Sequence, residues 1–229
     1  MTRGGPSYRA PAAIEMLQTG RAHAAPRVHD GRMDSRELEL TVIEGAMEGA
    51  PVEPERVARL ARLLGYDERL LLHFRRYHGP WLTRLARLLT AMGDARTWTA
   101  VGLALLATAR PAGVHAGLRL ACGCTLGALM AQVLKRTLNR ARPSSAIEGF
   151  EALMENPDRF SFPSGHTAAA YGVAVALVGE PAYAGSLSFT LATGIALSRV
   201  YLGAHYPLDV LVGVVLGSGA GVAARLLVP

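Results

Sequence analysis

The chain has little charge, few aromatic residues, almost no lysine and only two cysteines. Charged residues fill 18% of its 229 positions, against roughly a quarter in an average soluble domain. That shortage argues against an ordinary soluble enzyme. A hydrophobic content of 50% argues equally against disorder throughout. Cys122 and Cys124 stand two positions apart in one apolar run. On a helix they point in different directions, so neither a disulfide nor a shared metal site follows. The first 32 residues lack the uninterrupted apolar core of a signal peptide. No carboxylates or cysteines are grouped for Mg²⁺ or Zn²⁺, so no metal and no cofactor is expected.

What charge there is lies mostly at one end. Basic residues outnumber acidic ones 24 to 18, for a net charge of +6, and 23 of the 24 are arginine, the exception being Lys135. Such an excess fits nucleic acid, an anionic membrane surface or a phosphorylated substrate. Residues 1–96 hold 15 arginines and 12 acidic residues; the remaining 133 positions hold nine basic and six acidic ones. The shift falls near Thr97, without a Gly/Ser linker.

Three domains are expected. Residues 1–33, rich in Arg, Ala, Gly and Pro, read as disordered, with the natural start at Met33. Residues 34–79 read as an amphipathic helical extension. Ser35 can cap a first helix. Pro54 suits a first turn, and Val57, Leu60, Leu63 and Leu64 form a stripe ending at Gly65. Asp67 can cap a following piece with Leu70, Leu71, Phe74 and Tyr77. With Arg75, Arg76, Trp81, Arg84 and Arg87 nearby, both a helix on a membrane surface and a solvated helical hairpin fit. Residues 80–229 form the third domain, in which about five apolar runs approach the roughly 20 residues of a membrane span. These are Trp81–Met92 joined to Thr97–Ala109 with a kink at Gly93-Asp94, then Leu118–Leu134, Thr167–Val178, Ala182–Leu197 and Leu208–Val228. The expected fold class is all-α, a transmembrane bundle of about five to six spans behind a mostly helical, partly disordered N-terminal extension. Consecutive runs with so few charges are hard to house in a soluble core of this size. Nucleic acid is not expected as a partner.

Polar residues beside membrane spans are costly, and so are candidates for function. Three clusters occur, and counting crossings puts all three on one side. Lys135 and Arg142 are seven apart, which on one helix places them on one face, with Pro143 ending that helix; two cations directed at one place suit a phosphate. Ser164, Gly165 and His166 open a helix. Ser164 can act as its N-cap, Gly165 allows close backbone approach, and the free amides there make an anion site. Arg199 and His205 flank the last span. Pro207 suits that helix's first turn, which brings the Asp209 carboxylate to His205 Nδ1 and leaves Nε2 as a nucleophile. Each cluster alone also has a plain structural reading, as a basic anchor, a helix start or a cap. Together they fit metal-independent phosphoryl transfer through a phosphohistidine.

Lys-x6-Arg-Pro, Pro-Ser-Gly-His and Ser-Arg-x5-His-x3-Asp, in that order, resemble the signature of the type 2 phosphatidic acid phosphatase superfamily. The resemblance covers about residues 80–229. It implies that His205 attacks phosphorus, that Asp209 orients it, and that His166 protonates the leaving oxygen. It implies phosphate binding by Lys135, Arg142, Ser164, Gly165 and Arg199. It further implies an integral membrane enzyme with an outward-facing site. The substrate would be a phospholipid or polyprenyl phosphate such as undecaprenyl diphosphate, phosphatidate or phosphatidylglycerol phosphate. Vanadium-dependent haloperoxidases are similar in the same motifs and supply a second reading, as oxidoreductases. A non-catalytic membrane sensor on the same scaffold is a third.

Overall fold

The computed structural model describes residues 54–155, 158–180 and 182–229. The expectations for residues 1–33, for Ser35 and for the start at Met33 lie outside them. The chain divides into two compact units, Met1–Gly65 and Tyr66–Pro229. Among the described residues there are eight α-helices, in the order α1 Pro54–Phe74, α2 Pro80–Met92, α3 Ala95–Ala107, α4 Pro111–Thr137, the short α5 Pro143–Ala146, α6 Gly165–Ala176, α7 Ala182–Tyr201 and α8 Pro207–Leu227. A single 3₁₀ turn, Arg75–Tyr77, follows α1. The all-α class is as expected.

Proline and glycine punctuate the helices by ordinary rules. Pro80, Pro111, Pro143 and Pro207 each stand in a first turn, where the missing N–H costs nothing. The break between α2 and α3 falls at Gly93-Asp94, the dipeptide that marks a kink in the sequence. One expectation fails at the front. Helix α1 runs through Gly65 without a break, so Asp67 lies inside it and opens no following helix. A glycine inside a helix costs only about 1 kcal/mol, and the buried Asp67 carboxylate is engaged elsewhere in its unit, as described below.

Helix α6 occupies the centre of the second unit, between α4, α7 and α8. Its neighbours approach at backbone distance. A methyl group at Gly123 or Gly127 of α4 would lie 2.5 Å from the Gly172 carbonyl oxygen or 2.4 Å from that of Ala168. On the other side, one at Gly217 of α8 would lie 2.3 Å from the Ala168 oxygen. Gly-x-x-x-Gly ridges on two helices therefore clamp the third, a close-packing device of membrane helices.

Small residues make up much of the interior, and many large apolar side chains lie on the surface. Alanines 168, 170, 174, 192, 220 and 224 are buried, while Leu103, Leu129, Val133, Leu187, Leu211 and Val215 are exposed. Large apolar groups facing outward and small ones facing inward suit a lipid surround. Two helices, α4 and α8, are long and apolar enough to cross a membrane by length and composition. Helix α6, with 12 residues, is about 18 Å long, short of the roughly 30 Å hydrocarbon core.

Candidate active site

The site gathers where α4, α6, α7 and α8 end or begin. Helix α4 delivers Lys135 in its last turn. The chain then departs from the sequence expectation: α4 stops at Thr137, and Arg142 lies in extended backbone just before α5. Pro143 opens a helix instead of closing one. Lys135 and Arg142 thus share no helix face, yet both reach the Asp158 carboxylate, Lys135 Nζ at Oδ2 and an Arg142 terminal nitrogen at Oδ1. Arg142 Nε also donates to the Asp158 carbonyl at 2.8 Å, and its other terminal nitrogen donates to the Ala204 carbonyl at 2.6 Å. Burial would raise the Asp158 pKa, but Lys135 and Arg142 outweigh it and hold the carboxyl down at about 2.

The loop carrying Asp158 is tied to this segment. Ala141 and Phe160 form an isolated antiparallel bridge. The Ser161 amide donates to the Arg140 carbonyl at 2.8 Å, and the Ser161 hydroxyl to the Ala141 carbonyl at 3.1 Å. Within the same loop Phe150 packs among Leu71, Val200 and Tyr206, and Met154 Sδ accepts from Arg199 at 3.2 Å. Phe150 also packs against Gly203. Gly203 has a φ of 71°, open to glycine at little cost, and a side chain there would strike the Phe150 ring at 2.8 Å.

Ser164 is the N-cap of α6, as its position before the apolar run requires; its hydroxyl accepts from the Thr167 hydroxyl at 2.9 Å and more distantly from the Thr167 amide. The position a side chain would take at Gly165 is open space, which leaves room for a ligand at the helix N-terminus. His166 Nε2 meets Asp94 Oδ1 at 2.8 Å. The last turn of α7 carries Arg199, which is buried and donates to the Thr90 hydroxyl at 3.2 Å. The Thr90 hydroxyl in turn lies 2.9 Å from the Ser198 hydroxyl.

His205 is 1% exposed and precedes α8. Burial is the main influence on its pKa and pushes it down to about 4; Arg199 and Arg142 act the same way, and Asp209 opposes them. The imidazole is therefore neutral near pH 7. Its Nδ1 lies 3.6 Å from Asp209 Oδ2 and makes no hydrogen bond, a separation beyond hydrogen-bond range. Asp209 sits in the first turn of α8, as Pro207 leads one to expect. Its Oδ2 accepts from the Tyr206 amide at 2.9 Å and its Oδ1 from Arg140 at 2.7 Å.

The structure thus brings together Lys135, Arg142, Arg199, His205 and Asp209, with Ser164, Gly165 and His166 at the start of α6. Five contacting residues were not expected from sequence: Asp67, Thr90, Asp94, Arg140 and Asp158. Asp94 had a faint signal, as an acidic residue between two apolar runs. Asp67 and Thr90 had none, because their partners lie far along the chain. Among the described residues there is no group of three or more His, Cys, Asp or Glu that could hold a metal ion.

An all-helical membrane bundle with buried cations beside two histidines defines a class of membrane-embedded enzymes acting on anionic groups. Comparison with known proteins narrows the class. The PAP2 superfamily model matches residues 116–229. Decaprenylphosphoryl-5-phosphoribose phosphatase of Mycolicibacterium smegmatis is 38% identical over 138 residues, 58% of this chain and 72% of that protein. Lipid A 1-phosphatase of Rhizobium etli is 32% identical over 181 residues, 74% of this chain and 70% of that protein. The crystal structure of a transmembrane PAP2-type phosphatidylglycerolphosphate phosphatase from Bacillus subtilis shares the fold, with a TM-score of 0.62 over 83% of this chain and 92% of that one, at 22% identity. The chain belongs to the PAP2 superfamily; it is a membrane protein and a phosphoric ester hydrolase.

Proposed function

We propose that the protein removes phosphate from a phosphomonoester or diphosphate of a lipid through a phosphohistidine on His205. The observation that carries this reading is a buried, neutral imidazole beside a buried carboxylate, with Arg142 and Arg199 close enough to depress its pKa. His205 Nε2 forms a bond to phosphorus as the bond to the leaving oxygen breaks. His166, which Asp94 holds through Nε2, gives that oxygen a proton. Lys135, Arg142 and Arg199, with Ser164 and the Gly165 amide, balance the charge that builds on the equatorial oxygens. Water, giving a proton to His166, then cleaves the phosphorus–nitrogen bond and restores His205. Asp209, 3.6 Å from Nδ1, balances the positive charge the imidazole carries as a phosphohistidine. No step calls on a metal. In this reading the site faces outward, an orientation that the family resemblance supports.

Relatives that act on different lipid phosphates leave the headgroup as a question for assay. The protein, purified in detergent, is tested on undecaprenyl diphosphate, phosphatidate, phosphatidylglycerol phosphate and a polyprenylphosphoryl pentose phosphate. Phosphate release from at least one of them, undiminished by EDTA, is expected. Release from none, or release abolished by EDTA, overturns the reading.

Asp158 makes a second prediction. Its carboxylate occupies Lys135 and Arg142 as a phosphate would, and a pKa near 2 keeps it ionised at neutral pH. An incoming phosphate must displace it. Asp158→Asn removes the competing charge, and inhibition by inorganic phosphate is expected to tighten about fivefold, in line with roughly 1 kcal/mol for a partly exposed ion pair. A titration of turnover against phosphate reads this directly.

A further inference from the structure

Arg140 stands two residues before the cation that the motif requires, and its guanidinium is held from three sides. One nitrogen donates to Asp209 Oδ1 at 2.7 Å and another to Asp67 Oδ2 at 2.6 Å, while the Tyr206 ring lies beneath it at 3.9 Å from the guanidinium carbon. Burial alone would lower its pKa, but Asp209 and Asp67 outweigh that and hold it above its ordinary value. The second oxygen of Asp67 accepts from the Leu208 amide at 2.7 Å, in the first turn of α8, one residue before Asp209. Asp67, Arg140 and Asp209 are linked in a row that ends at His205.

The charges in that row need explaining. If Arg140 faced Asp209 alone, the pair would be neutral, and Asp209 would have little charge left for an imidazole that becomes cationic on phosphorylation. Asp67 supplies the missing negative charge. It also fixes both the guanidinium and the first turn of α8. Burying an unmatched carboxylate is costly, so a carboxylate placed there without such a partner would be a liability.

We propose that Asp67, acting through Arg140, is a positioning residue that keeps Asp209 oriented and charged toward His205. The proposal rests on the reading of His205 as the nucleophile. It assigns to a residue ahead of the membrane bundle a part in the chemistry at the far end of the chain.

Asp67→Asn removes the charge and leaves an oxygen for the Leu208 amide. On the lipid that the wild type turns over best, kcat is expected to fall about tenfold, as for partners that orient a reacting group, with KM changed less than twofold. In an Asp209→Asn background the same substitution is expected to change kcat less than twofold, because the residue through which it acts is gone. A wild-type kcat in Asp67→Asn, or an equal loss in both backgrounds, overturns the proposal; equal losses would mark a purely structural role. Should Asp67→Asn fail to yield folded protein, Arg140→Lys goes through the same cycle. A loss that vanishes in Asp209→Asn supports the row, and an equal loss in both backgrounds overturns it. Wild-type turnover by His205→Ala would instead defeat the nucleophile reading, whatever Asp67 does.

Discussion

His205→Ala is expected to lower kcat by about 10³-fold or more, the scale seen when a nucleophile is removed from a site whose binding groups remain. Lys135, Arg142 and Arg199 stay to bind phosphate, but no atom remains to form the bond. Inhibition of residual turnover by inorganic phosphate should therefore change little, separating lost chemistry from lost binding. The same substitution has a pH signature. His205 is pushed to about 4 in the folded protein, against 6.5 for a free imidazole. Between those values the unfolded chain binds a proton that the folded one refuses. The contribution is thus present above about pH 6.5 and lost as pH falls toward 4. His205→Ala removes it, and thermal unfolding in detergent should become less sensitive to acid over that window. Wild-type turnover in this variant would show that His205 is not the nucleophile.

The second large effect concerns packing. Gly217→Val is expected to lower stability by about 3 kcal/mol or more, the upper range of overpacking penalties. The added Cβ would lie 2.3 Å from the Ala168 carbonyl oxygen, a backbone atom that cannot rotate aside. Helix α8 would have to back away from α6. Asp209 lies in the first turn of α8 and Ser164 is the N-cap of α6, and the Ser164 amide donates to the Asp209 carbonyl at 3.0 Å. Activity should fall together with the melting midpoint. Gly219→Val is the control, because a side chain there meets open space; it should keep both.

The ordering of effects follows from location. His205 and Gly217 act at a reacting atom and at a backbone contact, where nothing can adjust. Asp158 is half-exposed, and its removal changes only a competition. Asp67 acts at one remove, so its effect lies between.

Much of the site was legible because its rules are local. A serine before an apolar run caps a helix, a proline fits a first turn, and an acidic residue two positions after that proline falls in the same turn. Those rules located Ser164, Pro207 and Asp209 without tertiary information. They misplaced Arg142 for the same reason. Seven-residue spacing is a helix argument, and it fails once α4 ends at Thr137. The glycine ridges of α4 and α8 are visible as spacing, but which carbonyl each one touches is not.

Sequence by itself determined the all-helical class, the apolar surround, and the identity and order of the motif residues, because hydrophobic periodicity, helix signals and motif spacing are properties of short segments. Tertiary structure alone decided that α4 stops short of Arg142, that Asp158 sits between Lys135 and Arg142, that Asp94 holds His166, and that Asp67 reaches Asp209 through Arg140. Each of those is a contact between charges distant in sequence or carried by irregular backbone. Charges in a low-dielectric interior must find partners wherever the fold brings them, and no local pattern records which partner that is.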